Sequence, residues 1–207
     1  STYPGIAGGN RPGMRMATTF CFVNQKGGCG KSSGCFHLAG CFAENGFKVL
    51  LVDADPQGSL SQAFFGSEEI ESLKSEETLA ALFDDACHWV SLDAISVPTS
   101  FDRMTLAPAN QMLAVHNTPS PESAGMKQQT LLSHLEQTEH FDIVLIDCPP
   151  NLYLCSWSAM LAADYVVIPV PPEDFGTQGL RVVHQELAVD VRRAGHLARR
   201  ARGGARP

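Results

Sequence analysis

The sequence predicts an α/β domain with a doubly wound, mostly parallel sheet and helices on both faces. Short apolar segments without polar alternation recur along the chain, which is typical of strands buried on both faces of a parallel sheet. Segments with helical periodicity separate them, and this alternation indicates crossover connections between parallel strands. In such sheets, ligands bind at the carboxyl ends of the strands.

The predicted elements begin just before residue 20. We expect strands at residues 18–23, 48–52, 104–108, 141–146 and 165–170, and helices at residues 31–45, 126–138, 156–163 and 176–193. Gly46 ends the first helix, and Asp53 and Asp147 follow two of the strands. The acidic, polar stretch at residues 67–78 is expected to be a solvated surface segment.

With 207 residues, the chain is long enough for one sizeable domain. We expect a flexible lead-in at residues 1–16, the α/β domain at residues 17–193, and a basic, disordered tail at residues 194–207. No apolar run approaches the roughly 18 residues that cross a membrane, so no membrane partner is expected. Seven cysteines without a CxxC pair, behind an N-terminus that lacks the pattern of a secretion signal, indicate reduced thiols in the cytoplasm.

Charge is distributed unevenly within the net value of −7. Residues 17–180 hold six Lys and Arg against twenty Asp and Glu, whereas residues 181–207 hold seven Arg against two acids. A basic terminus can bind polyanions such as DNA. The alternative is a solvated end, which the Ala, Gly and Arg content favours because aromatic residues that stack on bases are missing there.

A glycine-rich loop, NQKGGCGKSS, follows the first predicted strand. Gln25 stands where the pattern GxxxxGK[ST] has its first glycine, which leaves KGGxGK[ST] with Lys26 and Lys31 at its two ends. The glycines let the backbone N–H groups turn toward phosphate oxygens, and the following helix start favours anions. Lys31 is expected to reach the β- and γ-phosphates, and Ser32 to hold Mg²⁺. The predicted cofactor-binding residues of the loop are Gly27, Gly28, Cys29, Gly30, Lys31, Ser32 and Ser33.

Two further motifs place carboxylates at strand ends. In DADPQG, Asp53 and Asp55 are expected to hold water, one in the metal's shell and one near the γ-phosphate; a turn with a helix cap is the alternative. Asp147 follows the four apolar residues IVLI, which gives the segment the Walker B form, and is expected to reach Mg²⁺ through water. The predicted metal-contacting residues are Ser32, Asp53 and Asp147.

Four segments together resemble the ParA/Soj branch of the ParA–MinD deviant-Walker ATPases: KGGCGKSS, VLLVDADPQGSLS, FDIVLIDCPPNL and VVIPVPPEDFGTQGL. The resemblance covers roughly residues 17–193 and implies a P-loop ATPase with ATP and Mg²⁺ as cofactors, active in plasmid or chromosome partition. It implies a homodimer when ATP is bound, with two nucleotides between the subunits. Members coat DNA nonspecifically, and a ParB-like partner triggers hydrolysis.

The resemblance also implies roles for single residues. Lys26 would be the signature lysine that reaches the partner's nucleotide, and Asp55 would orient the attacking water. With Lys31, these residues form the predicted catalytic set. Asp53 would support the metal's shell, and residues 169–175, beginning with Pro169, would lie near the base.

The chain departs from the family after residue 193. Its end, GHLARRARGGARP, matches neither the strand and loop that help to hold adenine nor the basic helices that bind DNA. We therefore expect a chain that lacks the family's C-terminal elements through truncation or an altered reading frame, in which DNA binding is doubtful. Three alternatives stay open: a MinD-like ATPase that positions another cargo, a non-catalytic regulatory fragment, and an iron–sulfur electron-transfer protein. The position of Cys148 inside DCPP argues against the last.

Overall fold

The computed structural model of the protein describes residues 17–170, so the predicted lead-in, the predicted helix at residues 176–193 and the basic tail lie outside the described residues. Within residues 17–170, six strands form one sheet. They are β1 (Thr18–Phe22), β2 (Val49–Asp53), β3 (Val97–Pro98), β4 (Met104–Ala107), β5 (Ile143–Asp147) and β6 (Tyr165–Val167). Their order is β3-β4-β2-β5-β1-β6, and every pair is parallel except β3 with β4. The predicted mostly parallel sheet is confirmed.

Helices connect and cover these strands. They are α1 (Lys31–Glu44), α2 (Ser59–Phe65), α3 (Ser67–Ser72), α4 (Ala80–Phe83), α5 (Leu92–Ile95), α6 (Thr130–Leu135) and α7 (Leu154–Ala162). Short 3₁₀ turns lie at Ser75–Glu77, Asp85–Cys87, Gln111–Val115, Pro121–Ser123 and Gly125–Gln129. The single helix predicted at residues 126–138 is thus a 3₁₀ turn followed by α6. At this junction the backbone N–H of Leu131 donates to the Ser158 hydroxyl at 3.1 Å rather than to a carbonyl of the preceding turn.

Two apolar layers lie on the two faces of the sheet. Leu50, Val52 and Ile146 face the layer beneath α4 to α7, whereas Val49 and Leu51 face the layer beneath α1 and α2. Because both faces are covered, β2 and β5 are buried along their whole length, as the continuous apolar runs predict. Among the helices of residues 17–170, none is long and apolar enough to cross a membrane.

The acidic stretch predicted to lie at the surface contains α3 and the following 3₁₀ turn. Its glutamates are exposed, while Ile70 and Thr78 are buried. The buried Asn110 side chain donates to the carbonyls of Ile70 and Leu73, at 3.0 and 2.9 Å. The stretch therefore lies at the surface and is held by hydrogen bonds to the loop that follows β4.

Candidate nucleotide-binding site

The predicted site residues gather at one edge of the sheet because β2, β5 and β1 are parallel neighbours that end together. In the strand register, Asp147 lies directly opposite both Asp53 of β2 and Phe22 of β1. The glycine-rich loop follows β1, so it begins beside both acids. Ligands of parallel sheets bind at this edge.

The loop backbone curls where glycine is needed. Gly28 and Gly30 adopt φ values of 71° and 87°, a left-handed conformation that other residues seldom adopt. Gly30 immediately precedes α1, whose start has no side-chain cap and no acidic residue in its first turn. The N-terminal amides of this 14-residue helix therefore form a site suited to an anion.

Lys31 lies inside this loop rather than on its surface. The side chain is buried, and its Nζ donates to the Lys26 carbonyl at 3.4 Å and lies 3.9 Å from the Cys29 sulfur. Both contacts are long for hydrogen bonds, so they stabilise the ammonium group only weakly. A phosphate oxygen would be a stronger partner than either. Ser32, the residue after Lys31, is half-buried, and Ser33 is exposed.

Asp53 is fully buried and well hydrogen-bonded. One carboxylate oxygen accepts from the Ser61 N–H at 2.8 Å and from the Ser61 hydroxyl at 2.7 Å, and the other accepts from the Asp55 N–H at 3.1 Å. Burial raises the pKa of Asp53, the Asp147 carboxylate raises it further, and the bonds from Ser61 oppose the rise. Ser61 in turn accepts from the Ala109 N–H at 3.0 Å, which ties Asp53 to the loop after β4.

Asp147 is equally buried, and neither of its carboxylate oxygens meets a donor with full hydrogen-bond geometry within residues 17–170, although the Ser32 hydroxyl lies near enough to act on its pKa. Burial raises the pKa of Asp147 and the Asp55 carboxylate raises it further, while the neighbouring Ser32 hydroxyl and Lys31 ammonium oppose the rise. A buried carboxylate without partners is costly, so this position favours a cation or a water molecule as ligand.

Asp55 lies close to Lys31, whose charge lowers the pKa of Asp55, and close to Asp147, whose pKa the Asp55 carboxylate raises. Burial raises the pKa of Asp55, and the Gln57 N–H, which donates to Oδ1 at 2.9 Å, lowers it. This bond fixes the direction of the carboxylate. The structure therefore brings Lys31, Ser32, Asp55 and Asp147 together as one group.

The donor set fits a Mg²⁺ ion that arrives with nucleotide phosphates. Within residues 17–170, no group of three or more His, Cys, Asp or Glu is arranged to hold a metal by protein ligands alone. Mg²⁺ in nucleotide sites takes few protein ligands and completes its octahedron with phosphate oxygens and water. The unpartnered oxygens of Asp147, with the Ser32 hydroxyl beside them, match that requirement.

Pro169 lies on the other flank of β1, two residues after the end of β6. Its carbonyl accepts from the side-chain amide of Asn24 at 2.7 Å, and the Asn24 oxygen accepts from the Lys26 N–H at 2.9 Å. Lys26 itself is exposed at the loop entrance. The other residues predicted to lie near the base, 171–175, are outside the described residues.

Sequence reasoning missed Asn24 and Ser61. The bond from Asn24 to Pro169 spans 145 positions and the bond from Ala109 to Ser61 spans 48, so neither follows from local pattern. A signal did exist for each residue. Asn24 is a polar residue at the end of an apolar run. Ser61 stands three and four residues before Phe64 and Phe65, so it is a polar residue on the apolar face of the helix after Asp53.

These features define a P-loop nucleotide-binding protein. They are a parallel sheet, a glycine-rich loop that leads into an uncapped helix, a lysine inside that loop, and a buried acid at the end of β5, the strand beside β1. Residues 17–193 match the family model described as an AAA domain. The sporulation initiation inhibitor protein Soj of Bacillus subtilis is 33% identical over 189 residues, which cover 85% of this chain and 70% of Soj. The chain belongs to the ParA/Soj family of partition ATPases.

Solved structures share this fold. A plasmid partition protein from Borrelia burgdorferi bound to AMPPNP superimposes with a TM-score of 0.70 at 25% identity, over 87% of this chain and 72% of that protein. An ATP complex of McdA from Cyanothece gives a TM-score of 0.73 at 27% identity, over 89% and 66% of the two chains. The chain spans 60% of the length of two further curated relatives, which are 34% identical to it over 166 residues.

Proposed function

We propose that this protein binds and hydrolyses Mg-ATP and that ATP switches it into a dimer that acts in plasmid or chromosome partition. The observation that carries the proposal is the buried, unpartnered carboxylate of Asp147 beside the uncapped start of α1. A cation at the acid and an anion at the helix start satisfy both features at once, and a Mg-nucleotide supplies both.

The strand order supports one direction for the nucleotide. The acids of β2 and β5 lie on one flank of β1, so the terminal phosphates and the metal belong on that flank. The nucleoside then lies toward β6, where Pro169 follows the strand. This orientation agrees with a position for Pro169 near the base.

Each residue has a role in this arrangement. The loop N–H groups and Lys31 bind the β- and γ-phosphates, and Ser32 with Asp147 holds Mg²⁺, which neutralises charge on the phosphate oxygens. Asp55, fixed by the Gln57 N–H, orients the water that attacks the γ-phosphate. Asp53, held by Ser61, supports the water shell of the metal.

Dimerisation and partners rest on family membership. Lys26 is exposed at the loop entrance, where its side chain can reach a second subunit. A ParB-like activator, nonspecific DNA and a place in the cytoplasm belong to the same proposal, because relatives include Soj and a chromosome-partitioning ATPase from Treponema pallidum.

Two measurements test the proposal. Titration with a fluorescent ATP analogue should show Mg²⁺-dependent binding that Lys31→Ala abolishes, while Lys48→Ala, which removes an exposed lysine before β2, leaves it unchanged. Light scattering should show a dimer with Mg-ATP and a monomer with ADP. Equal affinity in the two lysine variants contradicts the assigned phosphate site, and a chain that stays monomeric with ATP contradicts the switch.

A further inference from the structure

The side chain of Asn24 joins two loops at the edge of the sheet. Its oxygen accepts from the Lys26 N–H at 2.9 Å, and its amide nitrogen donates to the Pro169 carbonyl at 2.7 Å. The orientation of the amide is determined, because a backbone N–H can only donate and a proline carbonyl can only accept. With an exposed fraction of 5%, the side chain has little contact with water.

This link continues the sheet where its backbone ladder ends. The Val23 N–H donates to the Val167 carbonyl at 3.0 Å, the last backbone bond between the two segments within residues 17–170. Asn24 follows Val23 at the entrance of the phosphate loop, and Pro169 lies two residues after Val167. There the Asn24 side chain supplies the link between the two loops in place of a backbone bond.

We propose that Asn24 is a positioning residue that couples recognition of the nucleoside to the geometry of the phosphate loop. The inference rests on the proposed function, in which the nucleoside lies toward β6 and the phosphates lie in the loop. A base bound beside Pro169 would orient the Pro169 carbonyl, which accepts from the Asn24 amide. The Asn24 oxygen, oriented in this way, accepts from the Lys26 N–H at the loop entrance. The site therefore selects a nucleoside triphosphate over a base-free polyphosphate partly through Asn24.

Asn24→Ser separates the two bonds of the link. A serine hydroxyl can still accept from the N–H two residues on, as it does in ST turns, but it is too short to reach Pro169. The replacement is uncharged, so it adds no repulsion toward phosphate. Asn45→Ser is the matched control, because the Asn45 amide also donates to a carbonyl, that of Cys41 at 2.8 Å, on the exposed end of α1.

The readout is the affinity for Mg-ATP divided by the affinity for inorganic triphosphate with Mg²⁺, measured by calorimetry. We expect the unaltered chain and Asn45→Ser to prefer ATP by about tenfold or more. Asn24→Ser should bind triphosphate with an affinity within about threefold of that of the unaltered chain, and it should lose most of the preference for ATP. An unchanged preference, or an equal loss for both ligands, overturns the proposal. An unaltered chain that binds neither ligand refutes the proposed function itself, so the two failures are distinguishable.

Hydrogen exchange on the unaltered chain provides a second test that does not depend on the variant folding. The Lys26 amide hydrogen is the one that Asn24 holds, so its exchange reports on the link. At saturation, ATP should slow this exchange several-fold more than inorganic triphosphate does, although both ligands fill the phosphate loop. Equal protection by the two ligands contradicts the coupling.

Discussion

Asp53 and Asp147 occupy directly paired positions at the ends of β2 and β5, and both side chains are fully buried. Asp53 accepts three hydrogen bonds, from Ser61 and Asp55, whereas Asp147 accepts none within residues 17–170. Two adjacent acids with the same burial thus differ in the hydrogen bonds that their carboxylate oxygens accept from the protein. Asp53 is held by the protein, and Asp147 is available to a ligand.

Asp147→Asn should stabilise the ligand-free protein and abolish its response to Mg-ATP. The substitution removes a buried charge whose burial raises its pKa more than Ser32 and Lys31 lower it, and each kcal/mol gained raises the melting temperature by about 2–4 °C in a domain of this size. Thermal unfolding with and without Mg-ATP measures both effects. Asp93→Asn, at an exposed position in α5, is the control and should leave both unchanged. A ligand-free variant that melts lower, and still gains stability from Mg-ATP, contradicts the assigned role.

Asp55 is expected to act on turnover rather than on affinity. A water-orienting carboxylate stabilises mainly the transition state, so Asp55→Ala should bind Mg-ATP with nearly unchanged affinity and hydrolyse it at least about tenfold more slowly, a barrier increase of about 1.4 kcal/mol. Asp55→Asn keeps an oxygen for the Gln57 N–H and should be equally slow. Parallel binding and phosphate-release assays measure this, and normal turnover in either variant refutes the assignment.

The sequence predicted most of the fold because the relevant signals are local. Five of the six strands coincide with apolar runs, and α1 ends within a residue or two of its predicted end at the Gly46 break. The missed elements are short: β3 has two residues and pairs antiparallel at the sheet edge, α4 and α5 have four residues each, and α3 and α2 have six and seven. Elements of this length form through tertiary contacts, so local periodicity does not reveal them.

The candidate site was predicted as a set of residue types but not as a hydrogen-bonded network. Lys31, Asp55 and Asp147 fall in motifs whose spacing is visible in the chain, and the strand register then brings them together. The supports of the site are long-range contacts, such as Asn24 to Pro169 and Ser61 to Ala109. Their identity depends on which strands become neighbours, which the sequence alone leaves open.

Gly58→Ala should destabilise the protein through a contact close to the site. Gly58 has a φ of 61°, and a Cβ there would lie 2.5 Å from the Ala109 carbonyl oxygen. We expect a loss of about 1–3 kcal/mol, since both the backbone and the neighbouring loop must shift. Gly40→Ala in α1 is the matched control, because its Cβ would meet nothing within 4 Å, and it should be neutral or stabilising by up to about 1 kcal/mol. Equal urea midpoints for the two variants contradict the prediction.

Lys26 distinguishes this loop from a loop with one lysine, and we expect it to complete the active site of the partner subunit. Lys31 already lies inside the loop, so a second cation is not needed for the same phosphates. Lys26 is exposed at the loop entrance, where a dimer can use it. Lys26→Ala should therefore bind ATP within a few-fold of the unaltered chain. It should lose ATP-dependent dimerisation, measured by light scattering, and most of its hydrolysis.

Mixing Lys26→Ala chains with Asp55→Ala chains tests whether Lys26 acts across the interface. In a mixed dimer, the site on the Lys26→Ala subunit keeps its own Asp55 and receives Lys26 from the partner, so it is complete. The other site lacks both groups. Activity above that of either slowed parent should therefore appear in the mixture, and it should follow the fraction of mixed dimers, measured with differently tagged chains. If Lys26 acts within its own subunit, each site of the mixed dimer lacks one group. Mixed dimers that form without recovering activity would then refute action across the interface.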